Sequence, residues 1–286
     1  MDRLFSRLVM LCLLGAVINS AHSQNDLAPG AAKIVISSGL EGGGYWKAGG
    51  RLQAAASGTG LSVENRASVG SIANLNALMD KNNPVSLGFA QADALQYYLD
   101  ENPGAAQAIE TLETIGEECV FIISDSDSDI RTDEDMQKSR RLHLGIKGPQ
   151  SGIWVTFDYM KSVIPELRHT TLIYGDTIQM MTDLAHPKTN VDEAVMVVHA
   201  PNEHSPEIDM VLANPDKFQF VEISDARLAR KTAGGDAVYR RMRVAPGAVA
   251  NVDPVETICV YGLLLANKNK LTGEQRNKIL ELVSKP

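Results

Sequence analysis

The stretch Lys33–Asp93, KIVISSGLEGGGYWKAGGRLQAAASGTGLSVENRASVGSIANLNALMDKNNPVSLGFAQAD, decides the fold. It sets three short apolar runs, Lys33–Ser38, Leu61–Arg66 and Val85–Ala90, around two stretches of helical spacing, Tyr45–Ser57 and Ser71–Asp80. Strands that alternate with helices of this length predict parallel β–α–β units with right-handed crossovers. Each run is followed by glycine or small polar residues, which suit a strand-to-helix turn.

Working outward, Asp93–Asp100 and Ala105–Glu110 carry helical spacing, and then the pattern resets. Leu142–Ile146 reads as a strand, Ile153–Val163 as a helix and Thr170–Tyr174 as a strand; Thr177–Ala185 is a helix, and Asp192–His199 and Phe218–Ile223 are strands. Two β–α–β sets of similar size predict an α/β protein with two lobes. Apolar runs at 119–124 and Ile258–Ala266 supply two crossover strands between them. Residues 24–119 with 256–286 form the first lobe on this reading, and 120–255 the second. A terminal helix starts near Thr272, with Glu274 and Gln275 as capping partners. The acidic segment Ser124–Gln137, SDSDSDIRTDEDMQ, reads as a solvated surface loop.

The first 23 residues have the marks of a secretory signal: Arg3 and Arg7, an apolar run from Leu8 to Val17, then Ala21-His22-Ser23. Ten apolar residues fall short of the roughly 20 that span a bilayer. Cleavage after Ser23 removes Asp2, Arg3 and Arg7, so Lys+Arg falls from 27 to 25 and Asp+Glu from 35 to 34, a net charge of −9 against −8 for the whole chain. Such a surface repels nucleic acid, and nothing in the pattern offsets it. The expected location is the periplasm.

Export leaves Cys119 and Cys259, an even number in a compartment that permits disulfides. Each opens an apolar, strand-like run. If both strands cross one hinge they lie side by side, about 4.8 Å apart, a spacing compatible with a disulfide. Two inert buried thiols remain the alternative.

Candidate chemistry gathers where strands end. Gly43, Gly44 and Tyr45 close a glycine loop before the first helix; Ser71 and Asn74 open the second; Gln91 and Asp93 follow the third strand. Ser151, Gly152 and Thr156 stand at the matching place in the second lobe. Helix N-termini with glycine amides and serine hydroxyls, converging from two lobes, bind small anions. Any single serine or aspartate there also suits plain helix capping. No G-x-S-x-G elbow, H-E-x-x-H pair or G-x-G-x-x-G loop occurs. His199 and His204, with Glu203 between them, make a poor metal frame, and no carboxylates are paired in a way that separates their pKa values. No catalytic residue, metal or cofactor is therefore expected.

The ordered blocks G-x-x-G-G-x-Y at Gly39–Tyr45, S-x-G-S-x-x-N-L at Ser68–Leu75, G-x-A-Q-x-D at Gly88–Asp93 and S-G-x-x-x-T at Ser151–Thr156 resemble the TAXI solute-binding subunits of TRAP transporters. Ser68 stands where that family more usually has threonine. The resemblance implies a two-lobed periplasmic-binding-protein type II fold that closes on glutamate, a dicarboxylate or a similar small carboxylate and passes it to a TRAP permease. It places Gly43, Gly44, Tyr45, Ser71, Asn74, Gln91, Asp93, Ser151, Gly152 and Thr156 around the ligand. A periplasmic sensor that presents its closed form to a membrane kinase, and a secreted hydrolase, are the rival classes.

Overall fold

The computed structural model describes residues 33–186, 191–229, 237–248 and 253–284; the expected signal segment, 1–23, lies outside them. The first strands and helices alternate as β1 (Lys33–Ser37), α1 (Gly44–Ala56), β2 (Ser62–Arg66), α2 (Ser71–Met79), β3 (Val85–Gln91) and α3 (Ala92–Glu101). After β4 (Ile109–Asp125) come α4 (Asp133–Lys138), β5 (Leu142–Ile146), α5 (Gly152–Val163), β6 (Thr171–Tyr174), α6 (Thr177–Leu184), β7 (Asp192–His199) and α7 (Pro206–Ala213). The chain ends with β8 (Phe218–Val221), β9 (Arg240–Val244), β10 (Val255–Asn267) and α8 (Gly273–Val283).

The strands line up in the order β2-β1-β3-β10-β4-β7-β5-β6, with β8 on β4 and β9 on β10. Within each lobe the β–α–β strands are parallel: β1 with β2 and β3, and β5 with β6 and β7. The long strands β4 and β10 serve both lobes. β10 pairs with β3 through Gly262–Ala266 and with β9 through Val255–Cys259. β4 pairs with β10 from Ile109 to Cys119, then with β7 from Cys119 to Ser124. Where the two cross between lobes the ladder is bulged beside the Gly116–Gly262 pair, and Gly116 has φ +136°, a value that favours glycine. Cys119 and Cys259 are register partners on these strands and form a disulfide.

Apolar residues of alternate parity explain why both faces of each sheet are covered. In the first lobe Ile34, Ile36, Leu87 and Phe89 pack on one face beneath α1 and α8, while Val35 and Ala90 pack on the other with Leu75 and Leu78 of α2. In the second, Val120, Ile122, Ala194 and Met196 face Phe157 and Met160 of α5. Phe121, Ile123, Val195 and Val197 face Met181 of α6 and Ile208 of α7. Burial of each such side chain contributes about 1.5–3 kcal/mol before entropy is counted.

Two expectations are corrected. The helical spacing of Ala105–Glu110 resolves into a 3-10 turn, Pro103–Gln107, after which β4 begins at Ile109, ten residues before Cys119. Glutamates in IETLETIGEE favour helix in isolation, but eight residue pairs with β10 hold the segment extended. The acidic segment Ser124–Gln137 is not wholly a solvated loop. It contains α4, whose capping box joins Thr132 and Asp135, and Asp133 is buried where it accepts from the Asp225 amide at 2.8 Å.

Candidate functional site

Helices α1, α2 and α3 start at the carboxyl ends of β1, β2 and β3, and α5 and α6 do so in the opposite lobe. These ends meet. The Gln150 carbonyl, before α5, accepts from the Ile72 and Ala73 amides in the first turn of α2 at 3.1 and 3.3 Å. Those donors have no partner within their own helix. The N-cap of α2 is Gly70, at φ +136° and ψ −166°, a conformation nearly reserved for glycine. A Cβ there would also lie 2.9 Å from the Ser151 Cα.

Six of the ten sequence-predicted ligand residues converge at this junction. Ser71 is buried, and its Oγ accepts from the Gln91 amide at 3.3 Å. Ser151 caps α5, accepting from the Trp154 amide at 3.3 Å and donating to the Gly148 carbonyl at 2.7 Å. Gly152 faces the first lobe so closely that a Cβ would overlap the Gln91 side chain and come within 2.9 Å of Ser71 Oγ. Gln91 is 3% exposed, yet its Nε2 donates to nothing among the described residues. Asp93 accepts from Thr156 Oγ1 at 2.7 Å and from the Tyr239 hydroxyl, both in the second lobe. Burial raises the Asp93 carboxyl above the usual carboxylate range, and the hydrogen bonds from Tyr239 and Thr156 partly oppose this.

The other four lie to one side. Asn74 accepts from Ser37 Oγ at 2.6 Å and donates to the Phe89 carbonyl at 2.8 Å and to the Ser38 carbonyl, so it ties the ends of β1 and β3 together. Gly43 is the N-cap of α1, and its amide turns back to the Leu40 carbonyl at 3.0 Å. Gly44 approaches Glu203 of the second lobe. Tyr45 stacks on Phe89, with ring centroids 5.3 Å apart, and its hydroxyl donates to Glu118 at 3.0 Å.

Beside Tyr45 lies a charged group of which sequence reading weighed only His199 and Glu203, and those only as a metal frame. His199, next to the disulfide, sits between Glu203 at 3.6 Å and Glu207 at 3.4 Å. Burial alone would lower the imidazole's pKa, but the two carboxylates outweigh it and raise it to about 9. Glu207 responds in kind: burial would raise it, while His199 and Thr177 bring it down to about 2. Glu203 also reaches Lys47 of the first lobe at 3.3 Å. Glu118 has the opposite fate, because desolvation pushes it up to about 7 against the Tyr45 hydrogen bond and the His199 charge. The expectation of no separated carboxylate pKa values is thus overturned, because these side chains come from β4, β7 and α7 and meet only in the fold. Among the described residues no cluster of His, Cys, Asp and Glu is arranged to hold a metal ion. None of their helices is long and apolar enough to cross a membrane.

No protein-family model matches the chain, and no curated protein matches it. Solved structures do. The lactococcal protein OpuAC, closed and complexed with glycine betaine, aligns with TM-score 0.52 at 11% identity over 87% of this chain and 83% of its own. The arginine-, lysine-, histidine-binding protein ArtJ from Geobacillus stearothermophilus aligns with TM-score 0.49 at 13% identity over 88% and 89%. At such identities the likeness is one of fold. The chain has the two-lobed α/β architecture of periplasmic binding proteins.

Proposed function

We propose that this chain is an extracytoplasmic solute-binding protein that captures a small carboxylate between its lobes, without catalysing a reaction. The observation that carries this reading is the pair of α2 amides, Ile72 and Ala73, that already hold an oxygen from the opposite lobe, at a junction where Gln91 Nε2 also donates to nothing among the described residues. Donors grouped in this way at a helix N-terminus favour a carboxylate oxygen. The nearby acids do not forbid it, since burial raises both Asp93 and Glu118 and so favours their neutral forms. The disulfide supports a site of action in an oxidising compartment, and the periplasm is where the signal-like start would deliver the chain. Two lobes on a pair of crossover strands support hinge closure on the ligand. The TAXI-like blocks make a TRAP permease the proposed recipient, with glutamate and dicarboxylates the acids they imply.

Calorimetry of the purified chain against glutamate, succinate, arginine and glucose tests the reading. Heat of binding is expected with an acid and none with glucose. Tight binding of glucose with no response to any acid overturns it.

A further inference from the structure

Beyond the polar junction, loops of the two lobes line an open cavity of about 470 Å³. Its walls are loops that follow four strands: Leu40 after β1, Val69 after β2, the 147–151 loop after β5, and Tyr174 to Asp176 at the end of β6. Six large hydrophobic side chains are exposed among the described residues, and three of them, Leu40 (46%), Val69 (54%) and Tyr174 (51%), line this one cavity. Exposed apolar residues scattered singly need no explanation, but a convergent set marks a binding surface. Loop tips have no core to serve, and these three come from both lobes.

The cavity has the volume of a small-molecule site, and its chemistry is two-ended. Lys147, Asp176 and the Gln150–Ser151 stretch supply its polar groups, and Leu40, Val69 and Tyr174, with Pro149 among the small residues of the loops, supply its apolar surface. Gln150 is shared: it lines the cavity, and its carbonyl occupies the α2 amides. Val69 adjoins the same helix start. A carboxylate that replaces the Gln150 oxygen at those amides would thus have an apolar wall within reach of its chain.

We propose that the cavity lined by Leu40, Val69 and Tyr174 is the subsite for an apolar tail, so that the captured acid is a monocarboxylate with a branched or aromatic chain and not a dicarboxylate. The inference rests on the reading of the cleft as a carboxylate site and narrows it. A dicarboxylate would bring a second charge against three apolar side chains with Lys147 as its one cation there, and burial of an unpaired charge is costly.

The test is calorimetry with phenylacetate, 4-methylpentanoate, succinate and acetate on the wild-type chain and on a Leu40→Ser/Val69→Ser variant. Both changed positions are exposed, so the fold is expected to survive, which circular dichroism checks. The wild-type chain should bind phenylacetate or 4-methylpentanoate about tenfold or more tightly than succinate and acetate, and the variant should lose about tenfold for the apolar acids. Succinate bound more tightly than both apolar acids, or an apolar affinity unchanged in the variant, overturns the tail subsite while leaving carboxylate capture standing. Absence of heat with all four acids overturns both.

Discussion

The Gln150 carbonyl and the Ile72 amide are 3.1 Å apart, and they belong to different lobes. One hydrogen bond therefore ties the start of α2 to the loop before α5. Thr156 and Asp93 repeat the arrangement one helix further on, at 2.7 Å. Separation of the lobes must break both and return their polar groups to water. A net hydrogen bond contributes about 0.5–1.5 kcal/mol, and one to a charged group about 1.5–3 kcal/mol. Closure is thus supported by a small number of directed contacts, which single substitutions can remove.

Ser71 and Ser151 separate binding from capping. Ser151 Oγ caps α5, so Ser151→Ala should lower stability by about 1 kcal/mol. Ser71 caps nothing by its side chain and lies against Gly152 of the other lobe. Ser71→Ala takes the acceptor from the buried Gln91 amide, so it too should lower stability, by about 1–3 kcal/mol, but unlike Ser151→Ala it should also weaken carboxylate binding by about 1–3 kcal/mol. Equal effects on both quantities in both variants would count against the assignment.

Gly152→Ala tests whether closure brings Gln91 and Gly152 together. Alanine is well suited to the helix itself, and its clash is with Gln91 and Ser71 of the facing lobe. Overpacking of this kind costs about 1–3 kcal/mol, here charged to closure, which corresponds to a fall in affinity of about five- to 150-fold. Small-angle scattering should show a wider particle. An unchanged scattering profile and affinity would exclude the close approach.

The charged group beside the hinge makes stability depend on pH with a definite sign. Glu118 rises from 4.5 to about 7 on folding, so its stabilising effect is full below 4.5 and lost as pH climbs to about 7. His199, raised from 6.5 to about 9, acts in the same sense at higher pH, and the raised Asp93 does so at lower pH. Glu207, lowered to about 2, acts oppositely, but only as pH falls below 4.5. Melting temperature is therefore expected to fall between about pH 5 and pH 8, with a shallower slope below pH 7 in Glu118→Gln. The same slope in that variant would show that Glu118 does not carry the effect.

Thiol counting checks the disulfide directly. The chain has three cysteines, so the denatured, unreduced full-length protein should show one reactive thiol, Cys12, and three after reduction. Cys119 and Cys259 are 140 residues apart, and closing a loop of that size stabilises by about 4–5 kcal/mol in the chain-entropy account. A Cys119→Ser/Cys259→Ser protein should unfold at lower denaturant by up to that amount. Three thiols before reduction would mean that the bridge does not form.

Local signals in the sequence determined the alternating elements, because apolar periodicity and strand-end glycines act within a few residues of chain. Val85–Ala90 was legible as a buried strand, Thr272 and Gln275 as a helix start, and Ser71, Gln91, Ser151 and Gly152 as strand-end residues facing a cleft. The topology those elements imply made a Cys119–Cys259 pairing compatible with the sequence beside two inert thiols, and the register of β4 and β10 decides for the bridge. What the tertiary structure alone decided is how polar groups from distant segments are spent. Asn74 reads like a ligand residue but is consumed in holding β1 to β3. Glu118, His199, Glu203 and Glu207 show no pairing in the sequence, yet desolvation and mutual pairing drive their pKa values apart. Ala105–Glu110 carries helical spacing, yet the chain turns extended at Ile109 and is held as strand by β10, far away in sequence. Leu40, Val69 and Tyr174 carry no local signal at all. Three exposed side chains become one wall only when two lobes face each other, since apolar contact depends on distance in space and not on distance along the chain.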